Sequence, residues 1–284
     1  MTAQIIVNGI LAGFIYVIMA LGFTLIFGIM RIVNFAHGEF YMLGAIVVLV
    51  LFGRFGWPFF LAVLAGGVIS ALFGVVLERV LFRPLVGDEL PCMIMSLGVA
   101  IILQSGVLIL FGPAEQTVTR PFSGTWSLGG AVVPWDRTIV AIGALVILGL
   151  FYLYMKHSRV GLAMRAVAQD PATASLMGVE SGLIYSSAFG IACLLAGLAG
   201  ALMAPIYTIG PYIGEMPMLR AFVVVILGGL GSIPGAVLGG LLLGLNESIL
   251  ATLLGSTVAL IVSFAIVLMI VIVKPEGLMG RITR

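Results

Sequence analysis

The stretch that decides the fold lies near the start of the chain, where residues 5–30 read IIVNGILAGFIYVIMALGFTLIFGIM without one charged side chain. A helix rises 1.5 Å per residue, so this segment is about 39 Å long and can cross the roughly 30 Å hydrocarbon layer of a bilayer. A secretory signal has a positively charged start and an apolar core of about 7–15 residues, whereas this segment starts uncharged and is longer. We therefore predict a retained first transmembrane helix.

The rest of the chain is similarly apolar. Of its 284 residues, 62% are hydrophobic and only 8% are charged, against about 25% charged in a soluble domain. So few charges cannot cover a soluble surface, and a disordered chain needs low hydrophobicity. The net charge of +2 is too small for a nucleic-acid-binding face. The two cysteines are too few for a disulfide framework or a metal site. Composition predicts an all-α polytopic membrane protein that binds no metal.

Charged and polar breaks divide the sequence into nine apolar segments. Two of them, 40–53 and 221–230, are shorter than the roughly 17 residues that a span needs. We therefore expect about eight to nine transmembrane helices, some short or broken. The segments are 5–30, 40–53, 57–77, 91–112, 138–155, 183–204, 221–230, 235–254 and 257–273.

The distribution of lysine and arginine predicts the orientation, because cytoplasmic loops are enriched in both. With the N-terminus outside, more of them fall in cytoplasmic segments than in outside ones, which favours an outside N-terminus and a cytoplasmic C-terminus. The cytoplasmic set is Arg31, Arg79, Arg83, Lys156, Arg159, Arg165, Lys274, Arg281 and Arg284. The outside set is Arg54, Arg120, Arg137 and Arg220, the last closing a predicted outside loop at 205–220.

The stretch RIVNFAHGE at 31–39 places polar side chains between two apolar segments. A carboxylate at membrane depth is costly and usually faces a bundle interior or a water-filled path. One interpretation is a discontinuous helix that lines a translocation path with Asn34, His37 and Glu39. The alternative is an ordinary interfacial turn with His37 and Glu39 at headgroup level.

The stretch LGGLGSIPGA at 227–236 interrupts an apolar run with glycines and a proline. Lipid cannot form hydrogen bonds with the backbone N–H and C=O groups that such a break exposes, so the break is tolerated only against protein or water. The break therefore predicts either a path-lining segment or close helix packing by small residues. Its candidate path residues are Gly228, Gly229, Gly231, Ser232, Pro234 and Gly235.

Two polar positions lie inside other predicted spans. Glu247 is either a path residue or a polar contact between helices, and Gln104 is predicted to be such a contact. A nucleotide-binding loop needs a Gly-Lys pair, and the sequence has none.

The segment 156–182 is the one sizeable predicted cytoplasmic segment. Residues 162–168 can form about two helical turns, Asp170-Pro171 is a helix-start signal and Gly178 suits a C-cap. This pattern favours a helical elbow that docks in a partner's cleft, although an amphipathic loop on the membrane surface has the same composition.

Five stretches together resemble the LivH-type permeases of branched-chain amino-acid ABC transporters. They are RIVNFAHGEFYMLG at 31–44, ERVLFRP at 78–84, SRVGLAMRAVAQDPATASLMGV at 158–179, LGGLGSIPGAVLGG at 227–240 and KPEGLMGR at 274–281. They follow one another along essentially the whole chain, so the resemblance implies a single transmembrane permease domain over residues 1–284.

The resemblance also implies a location and partners: the bacterial inner membrane, a second related permease in an expected heterodimer, two cytoplasmic ATPase subunits and a periplasmic substrate-binding protein. ATP and Mg are expected on the ATPases, with no cofactor on this chain and no enzymatic activity of its own. The segment that engages an ATPase in such permeases corresponds here to Arg159, Gly161, Arg165, Ala166, Asp170, Ala174 and Gly178.

Two alternatives stay open. Related permeases carry urea, short amides or other amino acids, so the substrate is an expectation. In another class, His37 and Glu39 serve as the proton relay of a secondary transporter or channel.

Overall fold

The chain is almost entirely helical in a computed structural model that describes residues 2–128, 131–274 and 277–280. The helices are α1 (Thr2–Met30), α2 (His37–Val48), α3 (Phe59–Leu77), α4 (Glu89–Phe111), α5 (Trp135–His157), α6 (Arg159–Gln169), α7 (Pro171–Leu176), α8 (Ser181–Met203), α9 (Glu215–Gly228), α10 (Ile233–Leu254) and α11 (Ser256–Val273). α2 continues as a π-helix over Leu49–Arg54. α3 continues as a π-helix over Glu78–Phe82 and a 3-10 turn over Arg83–Leu85.

Within the described ranges, 8 helices are long and apolar enough to cross a membrane. This confirms the predicted all-α fold with eight to nine spans. The segment predicted at 40–53 gains residues at both ends and reaches 18 residues as His37–Arg54. The segment predicted at 221–230 belongs to α9, which is short, with 14 residues.

A small β-hairpin interrupts the loop between α4 and α5. Its strands are β1 (Thr125–Leu128) and β2 (Ala131–Pro134), paired antiparallel with Trp126 opposite Val133. The Trp126 indole donates a 2.8 Å hydrogen bond to Thr138 Oγ1 and stacks on Trp135 with ring centroids 6.0 Å apart. These contacts hold the hairpin over the start of α5.

Helices α1 and α8 form the centre of the bundle, and small residues let their neighbours approach closely. A Cβ on Gly44 of α2 would overlap the carbonyl of Gly197 in α8, and a Cβ on Gly244 of α10 would lie 2.5 Å from Gly13 N in α1. Membrane helices associate through such small-residue contacts because lipid supplies no hydrophobic driving force between them.

The chain turns back into the bundle after α1. Arg31 follows the last residue of α1 and has a left-handed φ of 55°. Residues 31–36 then lead inward to His37, where α2 begins. Gly22 packs between the His37 ring and the carbonyl of Ala192. Because Ala192 lies midway along α8, α2 begins at mid-height of the bundle.

A similar reversal follows α8. Ile209 forms an antiparallel bridge with Gln116, and the chain then turns inward until Gly214 packs backbone to backbone against Gly38. α9 begins at the next residue, Glu215, and runs in the direction opposite to α2. The pairs α1–α2 and α8–α9 therefore have related, inverted arrangements, each with a long helix followed by a half-helix that begins inside the bundle.

The bundle has two distinct ends. The hairpin end carries β1, β2, Arg54 and the Gln116–Ile209 bridge. The elbow end carries α6, α7 and the break between α9 and α10, with Leu278 N bound to Leu227 O. Thr2 starts α1 at the hairpin end and Val273 ends α11 at the elbow end, because the short α9 adds one passage to those of the 8 long helices.

Two of the sequence predictions concern residues at these ends. The predicted outside loop at 205–220 is wrong in its second half, because Glu215–Arg220 form the first part of α9. Most of the buried residues of α9 lie after Arg220. The stretch before Arg220 therefore resembles a loop in sequence. Pro275, Glu276, Arg281 and Arg284, used in the motif at 274–281 and in the orientation prediction, lie outside the described residues.

Candidate functional site

The polar stretch after α1 lies in the interior, where its backbone groups are satisfied by side chains. Asn34 Oδ1 accepts a 3.0 Å hydrogen bond from Ala36 N, and Ser96 Oγ of α4 accepts one of 3.0 Å from Phe35 N. His37 is fully buried, with Nε2 3.2 Å from Met19 O. The structure brings Asn34, His37 and Glu39 together around the start of α2, and their path-lining role stays a prediction.

Glu39, in the first turn of α2, joins a second carboxylate through an amide. Gln104 Nε2 of α4 donates a 2.9 Å hydrogen bond to Glu39 Oε1 and lies 3.5 Å from Glu215 Oε1, in the first turn of α9. Glu39 is 3% exposed, and its Oε2 has no hydrogen-bond partner among the described residues. Glu215 is exposed on the surface of this chain. The cluster thus joins the first turns of both half-helices.

Sequence reasoning missed Glu215, which it placed in an outside loop. The carboxylate in an otherwise Pro- and Gly-rich stretch was the available signal. Gln104, predicted as a contact between helices, contacts α2 and α9 as expected.

The glycine-rich break lies at the elbow end, separated from Glu215 by the length of α9, about 20 Å. The backbones of Gly228 and Gly235 are in direct contact, and Gly229 and Gly231 have φ of 102° and 81°. Both values lie in the region that glycine adopts without strain. The break therefore reverses the chain and packs closely at the same time.

Ser232 and Pro234 start α10 on the other side of this break. Ser232 Oγ accepts a 3.1 Å hydrogen bond from Gly235 N, and Pro234 occupies the first turn. A hydroxyl cap satisfies one N–H that the helix leaves free, and proline fits where no backbone donor is needed. A path role for Gly228, Gly229, Gly231, Ser232, Pro234 and Gly235 stays a prediction.

Glu247 of α10 belongs to a separate polar cluster, with Arg220 of α9 and Tyr16 of α1. Arg220 Nε is 3.1 Å from Glu247 Oε1, and Tyr16 Oη donates a 2.6 Å hydrogen bond to Glu247 Oε2. The Arg220 guanidinium also lies 5.3 Å from the Tyr16 ring centroid. The ion pair supplies the neutralisation that a charge inside a helix bundle requires, and it connects three helices.

The predicted elbow is present as α6 and α7. Ser158 Oγ caps α6 by accepting from Gly161 N at 2.8 Å, and Arg165 Nη1 donates to Met155 O at the end of α5. Gly161 packs so closely on α5 that a Cβ there would lie 2.7 Å from Met155 O. These contacts fix α6 rigidly to the membrane-spanning α5.

Asp170 caps α7, as the Asp-Pro signal predicts. Its Oδ1 accepts hydrogen bonds of 2.9 Å and 3.2 Å from Ala172 N and Thr173 N. The Thr173 hydroxyl also donates to the carboxylate, and these bonds together hold the pKa of Asp170 below its usual value.

The tip of the elbow is hydrophobic. Leu176 and Met177 are 87% and 82% exposed. Of the predicted coupling residues, Gly161 and Ala174 are buried and Ala166 is half-buried, whereas Arg159, Arg165, Asp170 and Gly178 are exposed. The sequence prediction missed Leu176 and Met177, whose signal is two large apolar side chains beside a predicted C-cap glycine.

A buried ion pair ties the elbow end of α3 to the start of α8. Glu78 is fully buried and forms two 3.1 Å contacts with the Arg83 guanidinium. Ser186 Oγ donates to Glu78 Oε2 at 2.6 Å, and Arg83 Nη2 donates to Gly182 O at 2.7 Å. We call these four residues the α3–α8 clamp, and it lies next to the chain that leaves the elbow.

No group of three or more histidine, cysteine, aspartate or glutamate side chains that could hold a metal ion occurs in the part of the chain that the structure describes.

Helices long enough to span a membrane, together with two half-helices that begin at mid-height around polar side chains, are typical of membrane transport proteins. The chain belongs to the family described as the permease component of the branched-chain amino acid transport system, which matches residues 5–273.

Individual relatives agree with this assignment. The chain is 35% identical to the high-affinity branched-chain amino acid transport system permease protein LivH of Escherichia coli K12, over 96% of this chain and 94% of LivH. It is 34% identical to BraD of Pseudomonas aeruginosa, over 98% and 95% of the two chains. It is also 27% identical to the permease protein LivM of Salmonella typhimurium, over 93% and 68%. No solved structure matches the chain.

Proposed function

We propose that this chain is a permease subunit of an ATP-driven importer that carries branched-chain amino acids across the bacterial inner membrane. The similarity to LivH and BraD along nearly their whole lengths carries the proposal. The weaker similarity to LivM supports pairing with a second, related permease as a heterodimer. The chain forms one permease domain over residues 1–284.

The energy for transport comes from partners. No Gly-Lys pair occurs in the sequence, so this chain lacks the phosphate-binding loop. Two cytoplasmic ATPase subunits bind ATP and Mg, and this chain binds no cofactor and catalyses no reaction. A periplasmic binding protein delivers the amino acid at the hairpin end, which places the N-terminus outside and the elbow end in the cytoplasm.

The elbow, residues 156–182, transmits the motion of an ATPase to the bundle. Leu176 and Met177 form an apolar tip that suits a cleft in a partner, because large exposed apolar side chains mark interaction sites. Arg165 and Gly161 fix α6 to α5, and the α3–α8 clamp receives the other end of the elbow. A displacement of the tip is therefore transmitted to α3, α5 and α8 together.

Alternating access follows from the two half-helices. α2 extends from mid-height to the hairpin end, and α9 extends from mid-height to the elbow end. Each half-helix therefore faces one half of the path. Movement of α9 with the elbow end opens that side while the contact of α2 with α8 keeps the other side closed.

The test is reconstitution of this permease with the second permease, the ATPases and the binding protein in proteoliposomes. We expect leucine uptake that requires ATP. Leu176→Asp and Arg165→Glu should lower uptake while leaving leucine capture by the binding protein unchanged, and the matched controls Leu176→Met and Arg165→Lys should retain it. Uptake by this chain alone, driven by a proton gradient, would instead assign it to the secondary transporters.

A further inference from the structure

The Glu39–Gln104–Glu215 cluster contains more acceptors than the described structure satisfies. One amide nitrogen serves two carboxylates, and the buried Oε2 of Glu39 has no hydrogen-bond partner in the described ranges. A buried acceptor without a partner costs free energy, so such a group indicates a missing donor. An ammonium group supplies such donors together with a charge that suits two neighbouring carboxyl groups.

The position of Glu215 agrees with a donor that reaches the cluster through a polar path and not through lipid. Glu215 is exposed on this chain, yet it begins α9 beside Gly38 inside the bundle. Its partner Gln104 lies about two helical turns before Phe111, the residue at which α4 ends. A carboxylate at such depth faces protein or a water-filled path, because lipid does not solvate it. An exposed face of this kind suits the wall of the translocation path in the proposed permease.

Apolar side chains line the contact between α2 and α4 on the hairpin side of the cluster. They are Ile46 of α2, Leu49 in the π-helix that continues α2, and Val107 and Phe111 of α4. Val107 and Phe111 share a helical face with Gln104, at spacings of three and seven residues, and Ile46 shares a face with Glu39. The surface between α2 and α4 is therefore apolar toward the hairpin end and acidic toward mid-height.

We propose that Glu39 and Glu215 bind the α-ammonium group of the amino acid in transit, with its aliphatic side chain directed toward the apolar residues of α2 and α4 on the hairpin side. The ammonium group supplies three donors and one positive charge, which the unpartnered Oε2 and the second carboxylate accept. This assignment rests on the proposed function and specifies which part of the substrate this chain recognises.

The first experiment measures leucine uptake by the complete transporter in proteoliposomes. Glu215→Gln should lower uptake by about tenfold or more, the effect of one charge-assisted hydrogen bond, without changing ATP hydrolysis or assembly. Glu215→Asp should restore part of the rate, and the matched control Glu89→Gln, at the other end of α4, should behave as wild type. Wild-type uptake by Glu215→Gln would overturn the assignment and leave the proposed function intact. If the wild-type complex shows no ATP-dependent uptake, the proposed function itself fails.

The second experiment uses the wild-type complex, so it does not depend on the folding of a variant. A hydrophobic carbodiimide should modify Glu39 or Glu215, detected by mass spectrometry. Leucine and 3-methylbutylamine should protect both carboxylates, whereas 4-methylpentanoate, which lacks the ammonium group, should not. Equal protection by the acid, no protection by the amine, or protection by Na⁺ alone would overturn the ammonium assignment. If neither carboxylate reacts with the carbodiimide, the leucine uptake of the Glu215→Gln variant decides whether the ammonium assignment holds.

Discussion

Gly38 and Gly214 pack backbone to backbone at the point where the first turns of α2 and α9 meet. A Cβ on Gly38 would lie 2.8 Å from the Met218 side chain and would overlap Gly214 O. The two half-helices begin so close together only because neither residue has a side chain. This contact fixes the distance between Glu39 and Glu215, one residue further along each helix.

The first prediction concerns this contact. Gly38→Val should separate α2 from α9 and destabilise the chain by about 1–3 kcal/mol, the usual cost of overpacking, seen as a lower unfolding midpoint in detergent. Gly149→Ala is the control, because a Cβ there meets nothing within 4 Å. An unchanged midpoint for Gly38→Val would show that the half-helices can separate at little cost.

The second prediction concerns the α3–α8 clamp. Arg83→Ala leaves the fully buried Glu78 carboxylate without its guanidinium and should destabilise the chain by about 3 kcal/mol, because removal of one partner strands a buried charge. Arg83 is partly exposed, at 39%, so water will offset some of this cost. Glu78→Gln combined with Arg83→Ala should recover part of the loss, measured by thermal unfolding. A double variant as unstable as Arg83→Ala would contradict the stranded-charge explanation.

The third prediction concerns Tyr16. Tyr16→Phe removes the hydroxyl that donates to Glu247 Oε2 at 2.6 Å and should destabilise the bundle by about 1.5–3 kcal/mol, as for other hydrogen bonds to charged groups. The Arg220–Glu247 pair stays in place, so the helices should keep their arrangement. Tyr212→Phe, at an exposed tyrosine, is the matched control, and equal stability of the two variants would contradict the role of the hydroxyl.

The fourth prediction concerns the pH dependence of the elbow. The hydrogen bonds from Thr173 and Ala172 lower the pKa of Asp170, so the charged carboxylate stabilises α7 fully above the unfolded pKa of about 3.9. This contribution is lost as the pH falls through the lower folded pKa. Hydrogen exchange of residues 172–177 should therefore show a constant opening equilibrium from pH 7 to 5 and weaker protection only below about pH 4.

Asp170→Asn is the matched control for this measurement. It keeps a capping oxygen without a titrating charge, so protection of residues 172–177 should not change with pH in this variant. The same loss of protection in Asp170→Asn would assign the change to another group.

Local signals in the sequence located the spans and the elbow. Asp170-Pro171 correctly marked the start of α7, because capping and proline geometry depend on adjacent residues. The short segment at 221–230 likewise corresponds to the short α9. Apolar length and helix starts are local properties, and a sequence reports them directly.

The pairings inside the bundle were not predictable in the same way. Gln104 lies 65 positions from Glu39 and 111 positions from Glu215, and no periodicity connects the three. Arg220 follows a Pro- and Gly-rich stretch that resembles a loop, yet it pairs with Glu247. The depth at which a helix begins depends on the chain reversal before it and on the surface that receives it, which a hydropathy pattern does not contain.

The late position of α8 in the chain has a consequence for biogenesis. Gly44 of α2 packs on Gly197 of α8, and Gly13 of α1 packs on Gly244 of α10. When α1 and α2 leave the translocon, the surfaces that receive them have not yet been synthesised. The half-helix α2 therefore gains its packing surface on α8 only after residues 181–203 have been synthesised, and a polypeptide cut short before Ser181 would leave this face of α2 uncovered.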